Sequence, residues 1–592
     1  MDAWEALLAG PDGDFPRGPA PRPALPWRPW MIAMLLLACL VPRAVAAWNW
    51  DVLWGDSLHY RYASLCLEQG DFAQGFAEFG LNIYPIILIP LRHLGIDWQI
   101  TGKYFGVLVA SLTVLPLWGW LRRMFDDRLA VIACLVYALH GKLITISPLI
   151  IRDSTFWFLL VLYLYYIWRA VGELRIRFFL AAGLALTLAV HTRTEGWLLL
   201  VPLLGWGACR WFAVKGQRLR LAVGALLCVA VIPASVTAVN VTWLRGHPRW
   251  EFLRTTHIKF FVDWWNSATG MHLPAPQPDL VIPVKESAPT TSSVERNSFR
   301  SPVERNSFRL PETAAPPVAK SPPPLPSTLP PLSPILLPAA VPPEQSTPHW
   351  ILTFKLLERL AKGCTWVGSV LLLVGLACGW RIFLRPEHLT LFCMNLLLLL
   401  ISRIRYWTSG LDLRYFMPIV IVAVPWMALG LEYLIAAARW LLRRRGELAP
   451  RVSRILVAGL IAVVVVCGFL DAPMSAAYMR KHAALGNWIH DHAGPQPALA
   501  GSLDQLPLEA YYCQGHVALA DLFSLHHCLM VPMPTALTQR TADVVILWNE
   551  ENLAHEHLAI VEQRLTAYCG YRRVDPKELP AGADELMVFV RR

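Results

Sequence analysis

The sequence predicts a polytopic α-helical membrane protein with about eleven transmembrane spans and a small C-terminal extracytoplasmic α/β domain. The 592 residues are 55% hydrophobic and 16% charged, whereas soluble proteins carry roughly 25% charged residues. Apolar runs close to the ~20 residues that a helix needs to cross a bilayer recur along the chain. Residues 471–592 differ, because polar and apolar segments alternate there as they do in soluble α/β domains.

The membrane domain is predicted to cover residues 31–470, after a cytoplasmic N-terminal tail at 1–30. That tail is rich in proline and has no small-residue cleavage site where a signal peptide would need one. We therefore expect the first span to be retained as an anchor. The eleven predicted spans are 31–47, 100–120, 129–147, 155–171, 178–193, 196–213, 220–243, 365–384, 389–402, 415–436 and 455–470.

Arginine and lysine residues concentrate in alternate loops and predict the orientation of the chain. These basic loops lie between spans two and three, four and five, six and seven, and ten and eleven. Cytoplasmic loops carry an excess of Lys and Arg, so these loops and the N-terminus are predicted to be cytoplasmic. Orientation also accounts for the net charge of +11, and no nucleic-acid partner is expected. The segments predicted to lie outside are the loop after span one, 148–154, 191–196, 244–364, 403–414 and the C-terminal domain.

A proline-rich insert interrupts the predicted membrane domain on the outer side. Residues 274–348 hold 20 of the 47 prolines of the chain, so we expect neither packed helix nor sheet there. Within the insert, a nine-residue unit at 292–300 is followed directly by a near copy at 301–309. Two copies are too few for a repeat architecture. The sequence therefore predicts a disordered external insert that contains a short duplication.

The C-terminal domain, residues 471–592, is predicted to contain short strands and two helices but no metal site. His555 and His557 are two residues apart on a predicted helix and so face different ways. The twelve cysteines form no C-x-x-C pair, and most lie in apolar spans. We expect no cofactor, although the sequence leaves a divalent metal open. Strands are predicted at 498–500, 517–520, 542–547 and 586–590, and helices at 481–492 and 553–568.

Four groups of charged residues lie at the predicted outer ends of the spans. Each group alone also fits a solvated helix end, and acids in a first helical turn interact favourably with the helix dipole. Few ionisable residues occupy the span centres, where a path through the bilayer would require them. Because all four groups lie on the same predicted side of the membrane, the sequence predicts an active site at the outer membrane surface. The groups are Asp51 with Asp56 among tryptophans, Arg152 with Asp153, Arg193 with Glu195, and residues 403–415.

In their order along the chain, these motifs resemble the GT-C membrane glycosyltransferases. The resemblance is to the branch of protein O-mannosyltransferases and the lipid A aminoarabinose transferase, and it covers about 31–592 without the insert. Two departures are evident: Asp56 is followed by Ser57 instead of a glutamate, and residues 83–86 lack the lysine of a Lys-Pro-Pro segment. The motifs are Gly-Asp-x-x-x-Tyr (Gly55, Asp56, Tyr60), Asp153 at the second outer turn, Thr-Arg-x-Glu-Gly (192–196), and Arg-Tyr (Arg414, Tyr415).

The resemblance implies an inverting glycosyltransferase of GT-C fold. It would move a hexosyl or pentosyl group from a polyprenyl phosphate to an extracytoplasmic acceptor, which is a protein, a lipid or a cell-envelope glycan. It further implies a multi-pass protein of the bacterial inner membrane, in contact with membrane lipids, with its active site outside. A carboxylate suits the role of general base toward the acceptor hydroxyl, and arginine suits the phosphate. Asp56 is the first choice for the base and Asp153 the second.

The remaining site residues are expected to bind substrate. Arg414 is the first candidate for the donor phosphate, followed by Arg152 and Arg193. The other predicted substrate-binding residues are Glu195, Tyr415 and Tyr60. The main alternative function is a transporter or flippase of lipid-linked sugars, which would need Gly- or Pro-broken spans in corresponding halves. A third alternative, a membrane-anchored binding protein, does not explain so many spans.

Overall fold

The computed structural model describes most of the predicted membrane domain and parts of the C-terminal region. The predicted insert at 274–348 and nearly all of the predicted span at 455–470 lie outside the described residues. The longer described ranges are 29–76, 81–242, 349–408, 413–444, 477–494, 496–501, 506–522, 542–548, 555–581 and 586–591.

The described part of the membrane domain is helical, and strands occur only in the described part of the C-terminal region. Two 3₁₀ turns at Thr194–Leu199 and Leu413–Phe416 precede long helices. The helices are α1 (Pro29–Asn49), α2 (Gly55–Glu68), α3 (Phe72–Gly75), α4 (Ile83–Arg92), α5 (Trp98–Leu112), α6 (Val114–Met124), α7 (Asp127–Ala138), α8 (Gly141–Ile146), α9 (Asp153–Glu173), α10 (Ile176–Thr192), α11 (Leu200–Ala213), α12 (Arg218–Thr242), α13 (His349–Cys364), α14 (Trp366–Cys378), α15 (Trp380–Phe383), α16 (Pro386–Thr408), α17 (Met417–Arg444), α18 (Ala477–Ala493), α19 (Leu506–Tyr512) and α20 (His555–Gln563). The strands are β1 (Ala498–Gly501), β2 (His516–Leu522), β3 (Val544–Trp548), β4 (Tyr571–Arg573) and β5 (Leu586–Arg591).

Six helical segments of the described chain are long and apolar enough to cross a membrane. A seventh span is counted if Thr353–Cys364 and Trp366–Cys378, which meet at 98°, form one broken span. The protein is therefore a multi-pass membrane protein, and the predicted total of eleven stays a prediction. The six segments are Pro29–Asn49, Trp98–Met124, Asp153–Glu173, Thr194–Ala213, Arg218–Val239 and Leu413–Ala438.

The predicted span at 129–147 is interrupted after Ala138, and Arg43 of α1 provides the physical reason. The Arg43 side chain is completely buried. Its Nη1 donates to the carbonyl oxygens of Cys39 and Ala138, both at 2.9 Å, and its Nη2 donates to the carbonyl oxygen of Tyr137 at 3.2 Å. The last carbonyls of a helix have no intrahelical partner, and a cation is favourable beside them. Arg43 thus stabilises the end of α7, and the short helix α8 follows.

Helices α14 and α17 cross at a contact that only small residues permit. A Cβ atom at Gly375 would lie 1.9 Å from the carbonyl oxygen of Trp426, and a Cβ at Gly430 would lie 1.9 Å from that of Leu371. Small residues let membrane helices approach closely enough for backbone packing. This crossing fixes the middle of α17 against α14, and the N-terminal end of α17 follows the turn that carries Arg414 and Tyr415.

The described C-terminal strands form one mixed sheet in the order β2-β1-β3-β5-β4. Strand β1 pairs in parallel with β2 and β3, whereas β5 pairs antiparallel with β3 and β4. Alternate residues of a strand point to opposite faces, and in β3 Val544 and Ile546 join one apolar core while Val545 and Leu547 join another. These residues belong to the same compact unit as the membrane helices, so the domain boundary predicted at residue 471 stays a prediction.

Candidate active site

The segment after the first span, which was predicted to be an outer loop, contains the helix α2. This helix begins at Gly55, and Asp56 lies in its first turn, where a carboxylate interacts favourably with the helix dipole. Tyr60 follows one turn later and is therefore on the same face. The Tyr60 side chain is 2% exposed, and burial raises its pKa even though Arg152 acts against the shift. The Tyr60 hydroxyl consequently keeps its proton.

Asp56 forms an ion pair with Arg414, which is distant in sequence but adjacent in space. Arg414 Nη1 lies 2.5 Å from Asp56 Oδ2. The 3₁₀ turn Leu413–Phe416 presents Arg414 toward α2, and its guanidinium lies 5.9 Å from the centre of the Trp54 ring. The side chain of Asp56 remains 37% exposed, whereas that of Arg414 is 14% exposed. This pair is thus the part of the charged cluster that solvent and ligands can reach.

A second ion-pair group, which we call the buried triad, consists of Asp153, Arg193 and Glu195. Arg193 Nη1 donates to Asp153 Oδ1. Its Nη2 and Nε lie 3.2 and 3.3 Å from the two carboxylate oxygens of Glu195. The three side chains are 2% to 6% exposed. Two carboxylates face one guanidinium, and all three groups are withdrawn from water.

The ring of Tyr415 links the two ion-pair groups. The guanidinium carbons of Arg193 and Arg414 lie 4.8 and 5.4 Å from its centre, within the range of a cation–π interaction. Tyr60 contacts the ring of Tyr84 edge-on at 5.0 Å. Tyr84 belongs to 83–86, the segment that lacks the lysine of the resembling family, and is completely buried. Aromatic side chains therefore enclose the charges.

The structure brings the predicted site residues together at one end of the helices. Asp153 begins α9 and Arg193 follows the end of α10, so both come to the end where α2 places Asp56. Arg152 precedes α9 directly and acts electrostatically on Tyr60. Within the predicted fourth group, residues 409–412 lie outside the described residues. The eight predicted residues that are described at this end are Asp56, Asp153, Arg152, Arg193, Glu195, Arg414, Tyr415 and Tyr60.

Asp51, which the sequence analysis grouped with Asp56, belongs to a different contact. Arg480 of α18 donates to it, with Nε lying 3.2 and 3.1 Å from the two Asp51 carboxylate oxygens. Burial acts to raise the pKa of Asp51, but the bonds and charge of Arg480 outweigh it and hold the pKa below its usual value. Asp51 therefore connects the first outer segment to the C-terminal region instead of joining Asp56.

Two further features of the site were not predicted from the sequence. Lys103 of α5 donates to the carbonyl oxygen of Trp50, so a lysine does reach the first outer segment, although from an apolar span. The hydroxyl of Tyr512 accepts from the backbone N–H of Leu53 at 3.3 Å, and the hydroxyl of Tyr511 lies 2.5 Å from Gln99 Nε2. Local sequence patterns do not predict these two contacts, because the residues that form them are more than four hundred positions apart.

The described residues contain no group of three or more His, Cys, Asp or Glu side chains placed to hold a metal ion. In the charged cluster, the carboxylates of Asp153 and Glu195 are both bound by Arg193.

A protein-family model matches part of the chain. Residues 98–243 match the model of the family described as dolichyl-phosphate-mannose-protein mannosyltransferase. The matched segment includes Arg152, the whole buried triad and the helices that carry them. The resemblance to GT-C membrane glycosyltransferases is confirmed. No curated protein matches the sequence.

Solved structures share the fold of this chain over most of its length. The chain is similar to ArnT from Cupriavidus metallidurans in the apo state, with 12% identity, a TM-score of 0.53 and coverage of 95% of this chain and 98% of that chain. It is also similar to the archaeal oligosaccharyltransferase AglB from Archaeoglobus fulgidus, with 10% identity, a TM-score of 0.50 and coverage of 91% and 71%. These structures show the fold alone, and the likeness to a sugar-transferring family rests on the match at residues 98–243.

Proposed function

We propose that this protein transfers a sugar, with inversion, from a polyprenyl phosphate to an acceptor on the outer face of the membrane. The observation that carries the proposal is the accessible Asp56–Arg414 pair beside the buried triad. In this arrangement a carboxylate for the acceptor and a guanidinium for the donor phosphate lie at the same end of the membrane helices. We further propose that residues 31–470 form the transferase domain and that 471–592 is extracytoplasmic.

Asp56 is the proposed general base. The acceptor hydroxyl gives its proton to a carboxylate oxygen of Asp56 while the hydroxyl oxygen attacks the anomeric carbon. The bond between that carbon and the phosphate oxygen breaks on the opposite side, which inverts the configuration. Asp56 is better placed for this than Asp153, because the Asp153 side chain is 2% exposed and bound to Arg193.

Arg414 is the proposed partner of the leaving phosphate. The lipid phosphate departs as an anion and needs a positive charge more than a proton, and the planar fork of arginine suits it. Arg152, at the start of α9, is the second candidate. Arg193 is less suited, since both carboxylates of the buried triad already bind it. We therefore assign Arg193 and Glu195 to holding the site, and Tyr60 and Tyr415 to its aromatic wall.

The structural neighbours support the choice of donor class. The ArnT structure from Cupriavidus metallidurans was also solved bound to undecaprenyl phosphate, and the AglB complex contains a dolichol-phosphate and an inhibitory peptide. A polyprenyl-phosphate sugar is therefore the donor that we propose here. The acceptor is a protein, a lipid or a cell-envelope glycan exposed on the same face.

The proposal is tested with the purified full-length protein in lipid nanodiscs. Labelled polyprenyl-phosphate sugars are incubated with it and a membrane extract, and both the released polyprenyl phosphate and the labelled acceptor are measured. We expect the two products in equal amounts and an anomeric configuration opposite to that of the donor. Transfer with retention would contradict the single-step mechanism. Movement of the intact donor across liposomes without cleavage would instead favour the transporter.

A further inference from the structure

A cavity of about 690 Å³ lies between α1, α6 and α9, away from the candidate active site. Its walls are apolar over most of their length, and its polar end is formed by two arginines, Arg122 and Arg123. Its volume lies within the range of small-molecule sites. The apolar wall residues that define it are Ile32, Leu115, Pro116, Phe158 and Leu162.

The polar end of this cavity faces the membrane surface opposite the buried triad. Asp153 begins α9 and Glu173 ends it, so about 30 Å of helix separates them. Arg123 Nη1 lies 3.2 Å from Glu173 Oε1, which places the cavity's arginines at the far end. Under the predicted orientation this is the cytoplasmic surface.

The depth of the cavity corresponds to one leaflet. It reaches from Arg123 to Leu112, and the helical rise over these residues amounts to about 16 Å. The hydrocarbon core of a bilayer is roughly 30 Å thick. A ligand that enters beside Arg123 therefore reaches the middle of the bilayer, as an acyl chain of that leaflet does.

The polar end carries a surplus of positive charge. Residues 122–128 and 169–177 contain six arginines and three acids, Asp126, Asp127 and Glu173. A fourth acid, Glu432 of α17, pairs with Arg128, so the arginines still outnumber the acids. Arg122 pairs with Asp127. Arg123, Arg169 and Arg175 all lie within 3.0 to 3.7 Å of the single carboxylate of Glu173. One carboxylate cannot neutralise three guanidinium groups, so this end attracts an anion.

We propose that the cavity binds an anionic phospholipid of that leaflet, with one acyl chain between α1, α6 and α9 and the head group on the arginines. Basic pockets between membrane helices bind anionic head groups in this way, and a Lys or Arg near the surface contributes about 1 kcal/mol. The depth of one leaflet matches a phospholipid, whereas a polyprenyl chain extending from Arg414 would enter from the other end.

The first test uses the unaltered full-length protein. Native mass spectrometry follows the one-lipid adduct as phosphatidylglycerol or phosphatidylcholine of identical chain length is added. We expect phosphatidylglycerol to bind at least about fivefold more tightly, the factor that corresponds to one arginine. Equal binding of the two lipids would overturn the proposal. Displacement of phosphatidylglycerol by polyprenyl phosphate would also overturn it, by assigning the cavity to the sugar donor.

Two variants with matched controls test the position of the site. Leu115→Trp fills the cavity, and Leu226→Trp places the same bulk on α12, where Leu226 is 69% exposed. Arg123→Gln removes one surplus charge, and Glu173 keeps Arg169 and Arg175 as partners; Arg218→Gln is its control. We expect loss of the adduct in Leu115→Trp and about fivefold weaker phosphatidylglycerol binding in Arg123→Gln. If each variant binds the lipid as its control does, the proposal is wrong.

Discussion

At the scale of single residues, the site separates accessible charge from buried charge. Asp56 is partly exposed and contacts one arginine, whereas Asp153 and Glu195 are withdrawn from solvent around Arg193. A general base must be accessible to its substrate, whereas a buried charge is stable only while it stays paired. From the sequence, Asp56 and Asp153 were both candidates for the general base. Their difference in burial favours Asp56 as the base and places Asp153 in the buried triad.

Arg193→Met is expected to destabilise the protein strongly. The substitution removes the guanidinium that both buried carboxylates bind, and removal of one partner from a buried ion pair costs about 3–5 kcal/mol. Arg175→Gln is the matched control, because Arg175 is 59% exposed and Glu173 keeps other partners. Thermal unfolding in detergent should show a large loss for the first variant and little change for the second. Equal melting temperatures would show that the buried triad contributes nothing to stability.

A buried acid in the C-terminal region predicts a dependence of stability on pH. Glu509 is completely buried, and burial raises its pKa although its contact with His482 acts in the opposite direction. The folded protein therefore favours neutral Glu509. Glu509 therefore contributes to the free energy of unfolding. This stabilisation is fully present below about pH 4.3, the ordinary pKa of glutamate, and is lost as the pH rises through the raised pKa of the folded state.

Glu509→Gln should remove this part of the pH dependence, because glutamine stays neutral and can still accept a bond from His482. Unfolding of the two proteins is compared from pH 4 upward. We expect the wild type to lose stability relative to Glu509→Gln as the pH rises. A constant difference between the two curves would contradict the assignment.

At the scale of elements, α19 and α18 attach the C-terminal region to the helix that carries Asp56. The guanidinium of Arg61 in α2 lies between two rings, 5.1 Å from the centre of Trp98 and 5.5 Å from that of Tyr511. Gln99 and Leu53 bond to the neighbouring tyrosines of α19, and Arg480 of α18 bonds to Asp51. These contacts restrain α2 and the residues just before it against the C-terminal region.

Tyr511→Leu is expected to loosen α2. It removes a cation–π contact worth about 0.5–1 kcal/mol and a hydrogen bond worth about 0.5–1.5 kcal/mol. Tyr511→Phe keeps the ring and removes the bond alone, so it is the matched control. Hydrogen exchange of residues 53–68 should become faster in Tyr511→Leu and change less in Tyr511→Phe. Unchanged exchange in both would show that α19 does not restrain α2.

The sequence allowed prediction of the apolar helices and of the residues at their ends, because apolar length and terminal charge are local properties. Asp56, Arg193 and Arg414 were identified in this way. The break after Ala138 was not predicted, since it depends on Arg43 of another helix. The helical form of the segment at 55–68 was also missed, because its mixed polar sequence has no clear apolar period. Contacts such as that of Tyr511 with Gln99 required the folded chain.

At the scale of the whole molecule, the charged groups are distributed asymmetrically between the two ends of the helices. The Asp56–Arg414 pair and the buried triad lie at one end of the helices, and the arginine surplus of 122–128 and 169–177 lies at the other end of α9. The positive-inside rule assigns the arginine-rich end to the cytoplasm. The candidate active site would then face outward, together with the C-terminal region that contacts α2.

The orientation is tested with reporter fusions after His492 and within 443–454. We expect the first reporter to be active outside the cytoplasm and the second to be active inside it, because of the arginines in the second segment. A fusion after Glu173 provides a further cytoplasmic reference. A cytoplasmic reporter signal from the fusion after His492 would place the Asp56–Arg414 pair on the wrong side for an extracytoplasmic acceptor.

Asp56 is the central residue of the proposed mechanism, and one comparison of turnover tests its role as the general base. Asp56→Asn keeps the size of the side chain and an oxygen that accepts from Arg414, but it removes the basicity. Asp51→Asn is the matched control from the same segment, since Asp51 contacts Arg480 instead. In the purified transfer assay, we expect Asp56→Asn to lower turnover by about 10²- to 10⁴-fold and Asp51→Asn to stay close to the wild type. Full turnover in Asp56→Asn would contradict the assignment of the base.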